Sequence, residues 1–392
     1  MTSRRRPGME TTKKLIFPVE EYRGRLAKLH DYMRESGVDV YLVFSPENIF
    51  YLTGHQTFGI QNYHCCIVPL DRDPIIVLRF LESFNSHYFS WLTDIEIYDD
   101  HEIPAEVTAR TIHKYHLQES RIATDDSSLF FPPKNKDLLQ QALGKSLLSV
   151  SGLVEKCRAV KTPRELEFMR KAGKYTDIGV AAAIEGIYAG FTENDAAAAA
   201  YDTMTRAGSE YYQLQPIITS GWRSGIPHTT FQRRTFEPGD PVIIELTGTY
   251  HRYVAPIMRT AVVGRPSAKV QHMYDVCEEA LAAVLDGIQA GKTSGEVDML
   301  ARRIIEKAGY LDNWRKRTGY SVGCSFPPDW GEGHIASLRY QDDTVLEEGM
   351  VFHIPIAFRD YGIAGVGISE TVIVTKDGCE QLGSATRELV SR

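Results

Sequence analysis

Three threonines, each followed three positions later by an acidic residue, set the architecture of the second half of this chain: Thr162-Pro-Arg-Glu165, Thr192-Glu-Asn-Asp195 and Thr293-Ser-Gly-Glu296. In such a pattern the threonine hydroxyl accepts a bond from the third backbone N–H, and the acid reaches back to the first. Donors that a helix start otherwise leaves unpaired are thereby satisfied. Pro163 strengthens the first signal, because a proline at the first helical position forfeits no hydrogen bond. A long helical run follows it, and the second signal opens onto the alanine run 196–200, high-propensity filler. Strand-like segments lie between and after these helices, at 242–246, 262–263, 351–358 and 371–374. Long helices mixed with antiparallel-type strands predict α+β more than a doubly wound sheet. There is no Gly-rich phosphate loop, so a nucleotide cofactor has no support.

A chain of 392 residues exceeds what one core usually organises, so two domains are expected. We place a small α/β domain at residues 1–155 and the catalytic domain at 156–392. In the first, 19–36 reads as an amphipathic helix and 38–44 as a buried strand. Strand candidates at 65–69 and 74–78 flank the turn signal Asp71-Arg-Asp73. A net charge of −7 gives no electrostatic case for nucleic acid. The basic start Arg4-Arg-Arg6 lacks the apolar segment of a signal peptide, and no run of about 18 apolar residues suits a membrane span. A cytoplasmic protein is expected. Six cysteines with no C-x-x-C pair read as reduced structural thiols.

The segment Glu245-Leu-Thr-Gly-Thr-Tyr-His-Arg-Tyr-Val-Ala-Pro-Ile-Met-Arg-Thr260, preceded by Ser220-Gly-Trp-Arg-Ser-Gly-Ile-Pro-His228, resembles the creatinase/prolidase ("pita-bread") family. Pro238-Gly-Asp240, Glu348-Gly-Met-Val-Phe352, Glu370 and Asp377-Gly continue the match in order. The resemblance implies a creatinase-type amino-terminal domain followed by a pita-bread domain. In the metallopeptidase branch two Asp, one His and two Glu hold two metal ions. Here Glu245 stands at the first Asp, Pro256 at the second, Tyr320 at the His and Pro355 at the first Glu, with Glu370 kept. Proline offers no side-chain donor, so this set does not suit a dinuclear site of hard cations. No metal and no cofactor are expected.

Tyr250, Arg252-Tyr253, Gly319-Tyr320 and Phe326-Pro-Pro-Asp-Trp-Gly-Glu332 are similar to the metal-free ectoine hydrolase branch of that family. This likeness implies hydrolysis of a C–N bond in a small cationic amidine or guanidino compound. An amidine is protonated at neutral pH, so carboxylates can supply both countercharge and nucleophile. The expected catalytic residues are His228, Glu245 and Glu370, with Glu245 attacking the amidinium carbon and His228 shuttling the proton. The alternative has Glu245 pairing with the cation while His228 activates water. Glu332, Asp329, Trp330, Tyr320 and His353 are the expected substrate-binding residues, although a buried Tyr or His also reads as satisfied core. Arg259 reads as support for the sheet or as a carboxylate clamp. Family members of this kind form homodimers, which implies that Phe58, His64 or Arg79 reaches the partner's pocket. Two other functions compete: a metal-dependent Xaa-Pro peptidase, and an inactive domain that binds a protein or peptide.

Overall fold

The computed structural model describes residues 13–314 and 317–392. The basic start Arg4 to Arg6, and Arg315 and Lys316 of a later basic run, lie outside the described residues. The chain divides into two compact units, Met1–Arg158 and Ala159–Arg392. The boundary expected after residue 155 falls inside the helix Leu153–Ala159.

The first unit is a six-stranded mixed sheet, β1 (Val40–Val43), β2 (Cys65–Pro69), β3 (Ile75–Arg79), β4 (Ile95–Tyr98), β5 (Ile122–Thr124) and β6 (Leu148–Ser149), in the order β4-β3-β2-β1-β5-β6. Alternate residues of its central strands, Val40 and Leu42, Cys65 and Ile67, Ile75 and Val77, form a core with Ala109 and Ile112 of one helix and Leu139 and Leu143 of another. Successive strand residues point to opposite faces. Cys66 is nonetheless as buried as Cys65, so both faces of β2 are covered. Burial pushes both thiols well above the ordinary thiol range.

In the second unit the three threonine signals open helices Pro163–Glu185, Glu193–Ala207 and Ser294–Lys307, each with both reciprocal cap bonds formed. Two sheets accompany them. One is β17-β11-β8-β7, from β7 (Ile217–Ser220), β8 (Pro241–Leu246), β11 (Ile257–Val262) and β17 (Val390–Ser391); the hairpin β9 (Thr249–Tyr250) and β10 (Tyr253–Val254) links β8 to β11. The other is β13-β12-β14-β15-β16, from β12 (Arg317–Ser321), β13 (Ser337–Arg339), β14 (Val351–Asp360), β15 (Ala364–Thr375) and β16 (Gly378–Gln381). Ile244, Leu246, Ile257 and Ala261 pack outward on Val180, Ala183, Ala197 and Met204 of the first helix pair. Ile354, Ile356, Ile368 and Val372 pack outward on a second pair, through Ala280 and Leu281 of the helix Ala268–Gly287 and Val297 and Ala301 of Ser294–Lys307. Each buried Leu or Ile there contributes about 1.5–3 kcal/mol. The other two faces meet: Ile243 and Met258 pack on Ala357, and the Thr260 hydroxyl exchanges bonds with the Gly367 backbone. Helix pairs outside and two sheets face to face inside make an α+β unit with a polar seam.

Candidate active site

Alternation decides which side chains line that seam. On β8 and β11 the register Glu245↔Met258 puts Glu245 on the face of Ile243 and Met258, toward the other sheet. Glu245 is buried there. On β14 and β15 the pairing runs without a bulge, with His353↔Thr371, Ile354↔Glu370 and Pro355↔Ser369. His353, Pro355, Ser369 and Thr371 therefore share the seam face with Ala357. Tyr320 pairs with His353 from β12 and joins the same face.

These residues form a continuous row. The Trp330 indole N–H donates to Tyr320 Oη at 3.1 Å. Tyr320 Oη lies 3.0 Å from His353 Nδ1, and His353 Nε2 lies 2.7 Å from Ser369 Oγ. The Met258 backbone N–H closes the row on Ser369 Oγ at 2.6 Å. Met258 is the strand partner of Glu245, so the row ends beside that carboxylate. Ser369 carried no signal in the family resemblance. The alternation of Ile368, Ser369, Glu370, Thr371 and Val372 is what marks it.

Glu370 requires a correction. It lies on the opposite face of β15 with Ile354, Ile368 and Val372, and it is Ser369 that stands beside Pro355 in the seam. Glu370 Oε1 accepts a 2.6 Å bond from Arg259, whose guanidinium also donates to the carbonyls of Met258, Ser369, Ala385 and Thr386. Burial lifts the Glu370 carboxyl above the ordinary carboxylate range, and Arg259 opposes that lift. Of the two roles open to Arg259, the structure shows support: it ties β11, β15 and the carboxy-terminal segment together.

His228 stands exposed in a turn, with φ +56, a left-handed backbone uncommon for a residue with a side chain. A buried charge pair holds the ends of its segment. Glu193, the first residue of its helix, accepts from the Ser220 N–H and hydroxyl at 2.8 and 2.9 Å and from the Gln232 N–H at 2.9 Å. It also pairs with Arg223, which donates to the Thr230 carbonyl at 2.6 Å. Thr230 in turn donates to the Pro216 carbonyl, next to Ile217, which pairs with Glu245. Glu193 and Arg223 are 30 positions apart and show no local motif, so sequence reasoning misses them.

Apart from Trp330, the remaining expected residues have surroundings outside that row. Glu332 is buried against Lys161 Nζ at 3.4 Å, and Lys161 also reaches Ser321 Oγ at 3.2 Å. Asp329 is exposed and caps its own turn through the N–H groups of Trp330 and Gly331. Trp330 is buried behind Tyr320. Phe326 lies under the Arg252 guanidinium at 4.4 Å, with Tyr211 on it at 4.0 Å; burial pulls this arginine down to about 9. In the first unit Phe58 is 71% exposed. His64 is instead buried against His55, with ring centroids 5.5 Å apart, which corrects the expectation that it extends into a partner. Arg79 is held by Asp100 at 2.6 Å.

The seam offers Glu245, the row of Tyr320, His353 and Ser369, and prolines at 256 and 355. Two hydroxyls, one imidazole engaged at both nitrogens and one carboxylate do not fit a pair of hard cations. Among the described residues no three His, Cys, Asp or Glu side chains are grouped to hold a metal. No described helix is long and apolar enough to cross a membrane.

The chain belongs to metallopeptidase family M24, whose model matches residues 167–376, and the Creatinase/Prolidase N-terminal domain matches residues 25–160. It is 29% identical to the ectoine hydrolase of Halomonas elongata, over 96% of this chain and 98% of that protein. It is 28% identical to the Xaa-Pro dipeptidase of Pyrococcus furiosus, over 93% of this chain and 99% of that one. Among solved structures the prolidase of Pyrococcus horikoshii superposes with a TM-score of 0.82 at 26% identity, covering 94% of this chain and all of that chain. The two-domain creatinase and pita-bread fold is thus shown, and the chain is a member of a hydrolase family.

Proposed function

We propose that this protein hydrolyses a C–N bond in a small cationic amidine or guanidino compound without metal, and that ring opening of ectoine or a close analogue is its reaction. The observation that carries the reading is the seam itself: a buried carboxylate, Glu245, faces hydroxyls, an imidazole and a proline where a metal pair would need acidic ligands. A neutral peptide bond there would lack a Lewis acid to polarise its carbonyl. A protonated amidine brings its own electron-poor carbon and is attracted to Glu245. Glu245 attacks that carbon to give a covalent intermediate that water resolves, and His228 carries a proton during that second step. Arg252, pressed between two rings at the Phe326 wall, is the cation suited to a carboxylate on the substrate.

The competing reading is an Xaa-Pro peptidase, favoured by the relatives that carry such names. Proton NMR of chelator-treated protein with ectoine, hydroxyectoine, creatine and a Xaa-Pro dipeptide separates the two. Ring opening of ectoine is expected. Dipeptide cleavage that appears only after Mn²⁺ is added overturns the proposal. A homodimer belongs to the reading, with exposed Phe58 as the first unit's reach into the partner. A monomer in sedimentation equilibrium at working concentration would refute that part.

A further inference from the structure

The row Trp330, Tyr320, His353, Ser369 and Met258 has a property set by its donor count. The Trp330 indole and the Met258 backbone N–H can only donate, and each occupies one lone pair of the hydroxyl at its end. Between those hydroxyls a neutral imidazole donates at one nitrogen and accepts at the other. With the proton on Nε2, His353 donates to Ser369 Oγ, Tyr320 donates to Nδ1, and the Ser369 proton is left over. With the proton on Nδ1, Ser369 donates to Nε2 and the Tyr320 proton is left over. In either state one hydroxyl proton has to leave the row. Among the described residues Ser369 Oγ meets only the Met258 N–H and His353 Nε2, so in the first state its proton is offered to whatever occupies the seam. Glu245, the partner of Met258, is on that same face.

We propose that Ser369 and His353 form a proton relay that protonates the nitrogen released on C–N cleavage, with Tyr320 as the reservoir. This rests on the C–N hydrolase reading. A Glu245 oxygen first bonds to the amidinium carbon. As the C–N bond breaks, its electron pair goes to nitrogen, which takes the Ser369 proton. Ser369 takes the Nε2 proton, and Nδ1 takes the Tyr320 proton. The phenolate so formed is held by the Trp330 and Nδ1 N–H groups. Water then attacks the same carbon and its first proton returns through the row in reverse to Tyr320. The second passes by way of His228 to the released amine as Glu245 departs with its C–O electron pair. Protons and charge balance, and no co-reactant besides water is consumed.

The variants are His353→Gln, whose amide donates and accepts but cannot pass a proton across, and the pair S369A and S369T. With ectoine, kcat is expected to fall about 100-fold or more in H353Q and S369A, with KM within about threefold, and S369T is expected to recover most of the loss. Turnover by S369A near the wild-type value overturns the relay. Wild-type protein that opens no amidine at all overturns the functional reading instead, and the relay is then judged from the ring itself. Nitrogen-15 spectra of labelled histidine are expected to show a neutral His353 near pH 7, with both ring nitrogens at averaged shifts that separate into one fixed tautomer in S369A. A single fixed tautomer or a charged ring in the wild type overturns the relay whatever the substrate. These spectra also decide the matter should H353Q fail to fold.

Discussion

The two sheets of the second unit share a seam but bring different chemistry to it. The sheet of β8 and β11 offers a buried carboxyl group, Glu245, on the face of Ile243 and Met258. The sheet of β12, β14 and β15 offers hydroxyls and an imidazole already bonded to one another, from Tyr320 through His353 to Ser369. A buried carboxylate is costly unless something meets its charge, whereas a satisfied neutral row costs little. The proposed division of labour follows from that contrast: the sheet of Glu245 would attract and attack a cation, and the sheet of His353 and Ser369 would move protons. The buried ion pair that joins the sheets, Arg259 with Glu370, sits on their outer side and serves the fold.

The most severe way to break this contrast is to neutralise the charged sheet. Glu245→Gln keeps the shape and removes the proposed nucleophile, and turnover of ectoine followed by NMR is expected to fall by about 10⁴-fold. Its thermal midpoint should stay near that of the wild type. A variant that retains even a tenth of the activity would remove Glu245 from its proposed role and leave the sheet of His353 and Ser369 to explain catalysis.

A second change tests whether the outer charges belong to chemistry or to structure. Arg259→Met strands Glu370 as an unpaired buried charge, and breaking such a pair costs about 3–5 kcal/mol. Urea unfolding should show that loss. Stability near the wild-type value together with abolished turnover would return Glu370 to the site and undo the face assignment.

That assignment shows where sequence reading worked and where it failed. The three helix starts were legible because a cap is a local bargain struck within four residues. The domain order was legible because the ordered family matches lie in the second half of the chain, where the M24 model also falls. Glu370 went wrong by one position, and in a strand one position changes the face. The pattern Ile368, Ser369, Glu370, Thr371, Val372 held the correction: two small polar residues alternate with a carboxylate flanked by aliphatics, so the carboxylate belongs to the core side and needs a buried cation. That cation, Arg259, lies 111 positions away, and no short-range pattern points to it. The Glu193–Arg223 clamp on the His228 segment was hidden for the same reason.

The gentlest test compares two buried histidines. His353 has both ring nitrogens bonded, whereas His64 in the first unit has a buried Nε2 with no hydrogen-bond partner. Burial pulls His64 down from 6.5 to about 4, with Glu82 opposing. Between those values the unfolded chain binds the proton and the folded one does not, so stability is lost as pH falls through this window and is fully present above it. A shift of this size corresponds to about 3 kcal/mol. Urea unfolding of the full chain, read at the first unit's Trp91, should show wild-type stability declining from pH 6.5 toward pH 4 and His64→Gln declining less. Equal decline in both proteins would mean that His64 is protonated inside the fold.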